Sequence, residues 1–305
     1  MKKRVFTNIE HGINACWYPL EGSEKAMIVM LGDSADDMLV HAAVKWLHGL
    51  GCGVFAVSQN ENDYGYHSYP LENFRKVTKY LKKKGCTKIG IMGISTTGSI
   101  ALSAASYFSD ITMTVAMSAS DFVMEGFYRD GLDGAVERPG DNESTLSYKG
   151  EDLPYLPFAY RHPEYAKQLK AEAKRRGAMA AARDMFDLSE KLHPVTDRER
   201  IKVENIKGRL IFIGAEDDTL WDTCRYIGRM ARLLDDTPHD STYKVLTYEH
   251  GTHFVVPEGI FRNLIPVGTS FLPGLMFKEG RRHRRECLET RLDIDRVLTQ
   301  EIQNW

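Results

Sequence analysis

Short, predominantly apolar runs, separated by stretches of helical spacing, constrain this chain more than any other feature. The runs lie at 26–31, 54–57, 88–92, 111–117 and 209–213, and a sixth, more mixed strand pattern lies at 243–248. An apolar run of four to seven residues is the mark of a strand buried on both faces of a parallel sheet. Between the runs, helical spacing is predicted over 36–50, 70–84, 99–108 and 221–234, with glycine stops at Gly51 and Gly85. Strands alternating with helices mean βαβ units, hence an α/β fold with helices on both faces of the sheet. Ahead of them, 4–7 and 13–18 flank a His11-Gly12 turn and predict an antiparallel hairpin on the sheet edge.

The alternation lapses between about 122 and 205, where prolines, turns and a charged helical stretch at 164–176 replace it. It then resumes, and a last helix is expected over about 282–302. The expectation is one domain over 1–305 with a lid inserted at about 122–205. The length of 305 residues and an apolar fraction of 43% suit a large single core. A net charge of -2 gives no electrostatic basis for nucleic-acid binding. The five cysteines, Cys16, Cys52, Cys86, Cys224 and Cys287, are odd in number and widely spaced. That pattern argues against a disulfide framework or structural zinc and for a reducing compartment. With no signal-peptide pattern and no apolar stretch of membrane-spanning length, the expected location is the cytoplasm.

The chemistry concentrates at Gly93-Ile94-Ser95-Thr96-Thr97-Gly98. A buried strand, a serine among small residues and a following helix make the strand–turn–helix context of a nucleophile elbow. Thr97 stands where such elbows usually carry glycine, so the helix is expected to pack slightly further from its neighbour. A serine nucleophile needs a base and an orienting acid, in the chain order Ser, Asp, His for this architecture. The loop after 209–213 offers Asp217 and Asp218, with Asp217 the expected acid and Asp218 its alternative; Asp121 is a third candidate. The loop after 243–248 offers His250 and His253, of which His253, after a Gly turn and before an apolar run, is the expected base. The oxyanion hole is expected from the backbone N–H of Thr96 and of Asp33 or Ser34 in the loop after 26–31.

Three segments, 69–95, 206–221 and 248–257, resemble the C-terminal catalytic domain of acyl-CoA thioesterases and bile acid-CoA:amino acid N-acyltransferases. The resemblance implies an α/β-hydrolase fold and a triad of Ser95, Asp217 or Asp218, and His253. The acyltransferase branch uses a cysteine nucleophile, so Ser95 points to the hydrolase branch. What this implies is cleavage of a small acyl ester or thioester through an acyl-enzyme, most simply as an acyl-CoA thioesterase. Alternatives are a carboxylesterase, an amidase- or peptidase-like hydrolase and, in another class, a catalytically inactive binding module. No cofactor or metal is expected, because the His250-Gly-Thr-His253 spacing lacks a third ligand nearby.

Weaker signals have plain structural readings. The basic runs 82–84 and 281–285 suit helix ends and solvated faces as well as phosphate contacts. Tyr64, Tyr66 and His67 suit a packed loop or an acyl-site wall, Met179, Met185 and Phe186 a lid's underside or its core, and Cys52 a structural position.

Overall fold

The computed structural model describes residues 2–31, 34–58, 65–132, 137–265 and 271–305. Here β1–β8 denote the strands of the main sheet and α1–α8 the helices of seven residues or more. The strands are β1 Arg4–Phe6, β2 Ala15–Tyr18, β3 Lys25–Met30, β4 Gly53–Val57, β5 Lys88–Ile94, β6 Met113–Met117, β7 Gly208–Ala215 and β8 Ser241–Tyr248, in the spatial order β1-β2-β4-β3-β5-β6-β7-β8. β1 and β2 form an antiparallel hairpin edge on β4, and all pairs from β4 through β8 are parallel.

Alternation along each strand splits the core into two layers. Ile28, Phe55, Ile91 and Phe212 face one layer. Met27, Val29, Val54, Met92, Val115, Ile211 and Ile213 face the other. Each layer needs a helical cover, which is why the runs had to be apolar on both faces. The covers are α1 Met38–Gly49, α2 Glu72–Lys83, α3 Thr96–Tyr107, α6 Thr223–Asp236, α7 Glu258–Leu264 and α8 Arg284–Asn304. Asp37 caps α1 by accepting the Val40 N–H at 2.8 Å. α3 begins at Thr96, three residues earlier than the sequence pattern suggests, so it starts directly behind Ser95.

Between β6 and β7 the chain makes short strands and two helices, α4 Glu164–Arg176 and α5 Arg183–Leu192. Strands Glu125–Tyr128 and Arg138–Ser144 pair antiparallel, and Leu146–Tyr148 pairs with both Glu151–Asp152 and Tyr69–Pro70. These strands escape periodicity analysis because they are short and polar; Arg138-Pro-Gly-Asp-Asn-Glu-Ser144 reads as a turn until its partner is known.

Parallel register brings the functional loops to one edge. Met30 lies opposite Gly93, Ile94 opposite Met117, Met117 opposite Ile213 and Ala215 opposite Tyr248. The residues that follow these strand ends all emerge at the carboxyl edge of the sheet, where ligands of open α/β folds bind.

Candidate active site

Ser95 sits between β5 and α3 with φ 61° and ψ −133°. A side chain rarely adopts this backbone conformation, at a cost of about 1–3 kcal/mol, and such outliers concentrate at functional sites. The turn is held by its surroundings. Ser95 N donates to Met117 O at 2.8 Å. A Cβ on Gly93 would lie 2.2 Å from Thr97 O, and one on Gly98 would lie 2.8 Å from Met117 O. Both glycines are therefore required where α3 crosses the strand ends. Thr97 is accommodated because it points toward β3: its Oγ1 lies 2.7 Å from Met30 O and from Ile94 O, and accepts the Ile94 N–H at 3.0 Å.

His253 is buried, and its Nδ1 lies 2.8 Å and 3.0 Å from the two carboxylate oxygens of Asp218. The Asp218 side chain is fully buried and has two further donors. Leu220 N–H donates to Oδ1 at 2.9 Å, and the Thr223 hydroxyl donates to Oδ2 at 2.6 Å. The acid beside His253 is thus Asp218, and the expectation of Asp217 is corrected. Asp217 instead accepts the backbone N–H groups of Gly251 and Thr252 at 3.0 and 2.7 Å, fixing the loop that carries the histidine. Adjacent residues on a tight loop point apart, and the two free amides of the neighbouring loop capture the first.

His253 Nε2 is buried without a hydrogen-bond partner among the described residues. No Nε2–Ser95 bond is made here; such bonds are often long before substrate binds. Ser95 follows β5 and His253 follows β8, three strands apart in the sheet, and Ser118 lies between them at the end of β6. The Ser118 amide donates to Ile213 O at 2.8 Å, and its hydroxyl to His253 O at 3.1 Å. Trp221 Nε1 donates to Ser118 O at 2.9 Å, and its ring meets the His253 ring edge-on at 5.3 Å. Sequence reasoning missed the supporting roles of Ser118, Trp221 and Thr223. The only signal was their nearness in the chain to strand ends.

The other candidates fall elsewhere. Asp121 makes a two-point ion pair with Arg229 at 2.7 and 2.6 Å, and burial pushes its carboxyl up against that pull. Thr96 opens the first turn of α3, whose amides have no acceptor within the helix. Ser34 N–H turns instead toward Asp37 Oδ2 at 3.4 Å, so it is not offered to an oxyanion, and Asp33 lies outside the described residues. His250 stacks on His283 with ring centres 3.6 Å apart, and its Nδ1 is 3.4 Å from Asp217. No cluster able to hold a metal occurs among the described residues.

Tyr66 is buried against Phe127, and His67 stacks on Tyr128; Tyr64 lies outside the described residues. Met185 and Phe186 are core, whereas Met179 is exposed. Of the basic runs, Lys82 pairs with Asp110, Arg282 with Glu279 and Arg285 with Glu289. All five cysteines are free, and burial raises each thiol, Cys52 to about 11 and Cys287 to about 12. None is therefore poised as a thiolate nucleophile.

Comparison with known proteins shows the family and the fold. The family described as BAAT / acyl-CoA thioester hydrolase C terminal matches residues 69–258. Human acyl-coenzyme A thioesterase 1 is 24% identical over 250 residues, covering 78% of this chain and 51% of the relative. Mouse mitochondrial acyl-coenzyme A thioesterase 2 is 23% identical over 223 residues, covering 69% and 41%. The chain thus spans about half the length of the curated relatives it matches. An esterase from Pyrococcus furiosus superposes with a TM-score of 0.51 at 15% identity, covering 94% of this chain and 91% of its own. An acylaminoacyl peptidase from Pyrococcus horikoshii superposes with a TM-score of 0.50 at 11% identity, covering 94% and 41%. The chain has the α/β-hydrolase fold and belongs to the BAAT / acyl-CoA thioester hydrolase C-terminal family.

Proposed function

We propose that this protein is a serine hydrolase that cleaves acyl thioesters or esters through an acyl-enzyme, with acyl-CoA-like thioesters the preferred class. The single observation that carries the reading is the pairing of a strained Ser95 with a buried Asp218–His253 couple at the same sheet edge. Asp218 holds the imidazole by Nδ1, leaving Nε2 to take the Ser95 proton as Oγ attacks the acyl carbonyl. The Thr96 N–H, at the start of α3, stabilises the oxyanion. The leaving thiol or alcohol takes the proton from His253. Water, deprotonated by the same base, then releases the acid. Membership of the family and the names of the thioesterase relatives support the substrate class. High thiol ionisation points support serine rather than cysteine as nucleophile.

Residues 122–205 act in this reading as a lid on a single domain. Its support is the placement of Met124 Sδ 3.8 Å from Thr96 Oγ1 and of the Phe186 ring 5.1 Å from that of Trp221. Five unpaired cysteines support a reducing compartment such as the cytoplasm. No helix among the described residues is long and apolar enough to cross a membrane.

The test is Ser95→Ala beside the parent protein, assayed on acyl-CoAs and p-nitrophenyl esters of graded chain length and labelled with a fluorophosphonate. Turnover and labelling should fall by about 10⁴-fold or more, with thermal unfolding unchanged within a few degrees. Retained turnover in Ser95→Ala, or a folded parent that neither labels nor turns over, would overturn the proposal.

A further inference from the structure

In the segment inserted between β6 and β7, the α5 end grips the loop that carries Asp218. That loop runs from Glu216 to Asp222, between β7 and α6. Arg183, at the first position of α5, spans it. Its Nη1 donates to Glu216 O and to Asp218 O, both at 3.1 Å, and its Nη2 lies 2.7 Å from the Asp222 carboxylate. The backbone joins the grip. The amides of Ala182 and Arg183 both point to Thr219 O at 3.2 Å, and the Thr219 hydroxyl donates to Ala180 O at 3.2 Å. The side chains of Arg183 and Asp222 are 22% and 20% exposed, so this pair is shielded more than a surface bridge.

We propose that Arg183 is a positioning residue for Asp218. Resting on the serine-hydrolase reading above, it is the point where the inserted segment controls the geometry of the base. A planar guanidinium can meet two carbonyls and one carboxylate at once, which a lysine ammonium cannot do with the same fixed geometry. By holding the carbonyl of Asp218 itself, it fixes the backbone from which the carboxylate reaches His253 Nδ1. Small displacements of such a group are costly, because the orientation of the imidazole follows the acid.

The proposal separates from a merely structural role by the direction of a pH effect. A loosened Asp218 supports the imidazolium less, so the rising limb of kcat/KM moves to lower pH. Removing a nearby cation without loosening the acid would move that limb to higher pH.

The experiment compares the parent, Arg183→Ala and Arg183→Lys by kcat, KM, the pH profile of kcat/KM and thermal unfolding. It adds the downfield proton resonance of the hydrogen-bonded His253 Nδ1–H, which needs no turnover. In Arg183→Ala, kcat should drop about tenfold or more with KM changed less than about threefold, and the limb should move down by about half a pH unit. The resonance should broaden or vanish, and Arg183→Lys should fall between. An unchanged kcat, limb and resonance would overturn the proposal whatever the melting temperature, as would a limb that moves up. If Arg183→Ala does not fold, Arg183→Lys carries the same readouts. Because the resonance is read without substrate, it still tests Arg183 if Ser95→Ala keeps activity and the hydrolase reading fails.

Discussion

Asp217 and Asp218 are neighbours of the same chemistry, yet they have different work. Asp218 is buried against His253, and Asp217 binds two amides of the loop that carries His253. Their substitutions should therefore separate. Asp218→Asn should reduce kcat by about 10⁴-fold, since the amide offers the imidazole the wrong partner. Asp217→Asn should instead lower stability by about 1–3 kcal/mol, because an amide accepts the two backbone bonds less well, and should lower kcat far less. Steady-state kinetics with denaturant unfolding on both variants checks this, and equal kcat losses would contradict it. Ser95 and His253 stood out as candidates because each follows a strand in a fixed chain order. The choice of acid was not legible, because two adjacent side chains on a short loop diverge and only the amides of the other loop decide which is taken.

The elements around the elbow show what a local motif can and cannot convey. Gly93 and Gly98 were visible as small residues, and their need is steric, at the points where α3 meets β5 and β6. Thr97 looked like a defect in the motif. In the fold its hydroxyl joins the elbow to the end of β3 at Met30 O. Thr97→Val keeps the shape and removes the hydroxyl, leaving buried polar atoms without a partner. It should cost about 1–3 kcal/mol in thermal unfolding, and an unchanged melting temperature would refute the role. The helices of the core were readable within a few residues, from spacing and glycine stops. The short polar strands between β6 and β7 were not, since their pairing partners lie far away in the chain.

At the scale of the whole molecule, the C-terminal helix closes the sheet edge through charge as well as packing. Glu301 of α8 pairs with Arg209 of β7 at 2.7 Å and with Lys244 of β8 at 2.5 Å. Chiefly through the hydrogen bond with Arg209, its carboxyl is held down at about 2. A depressed folded-state value means a contribution that is fully present above the ordinary glutamate range. That contribution is lost as pH falls from about 4.5 through 2. Glu301→Gln should therefore lower stability at pH 7 by about 2 kcal/mol. The gap between variant and parent should close in urea titrations as pH drops through that window. A gap that stays constant from pH 7 to 3 would show that the pair contributes nothing through charge.

Taken by itself, the sequence determined the fold class and the strand and helix succession, and it marked Ser95 and His253 as candidates. These depend on local periodicity and on chain order, both written along one dimension. Only the tertiary structure decided which aspartate faces His253, why Thr97 is tolerated beside Ser95, and that Arg183 reaches the acid loop. Each of those depends on which backbone amides and carbonyls from distant segments remain unpaired at the sheet edge. A buried polar group must find a partner wherever the fold brings one, and spacing along the chain carries no record of that meeting.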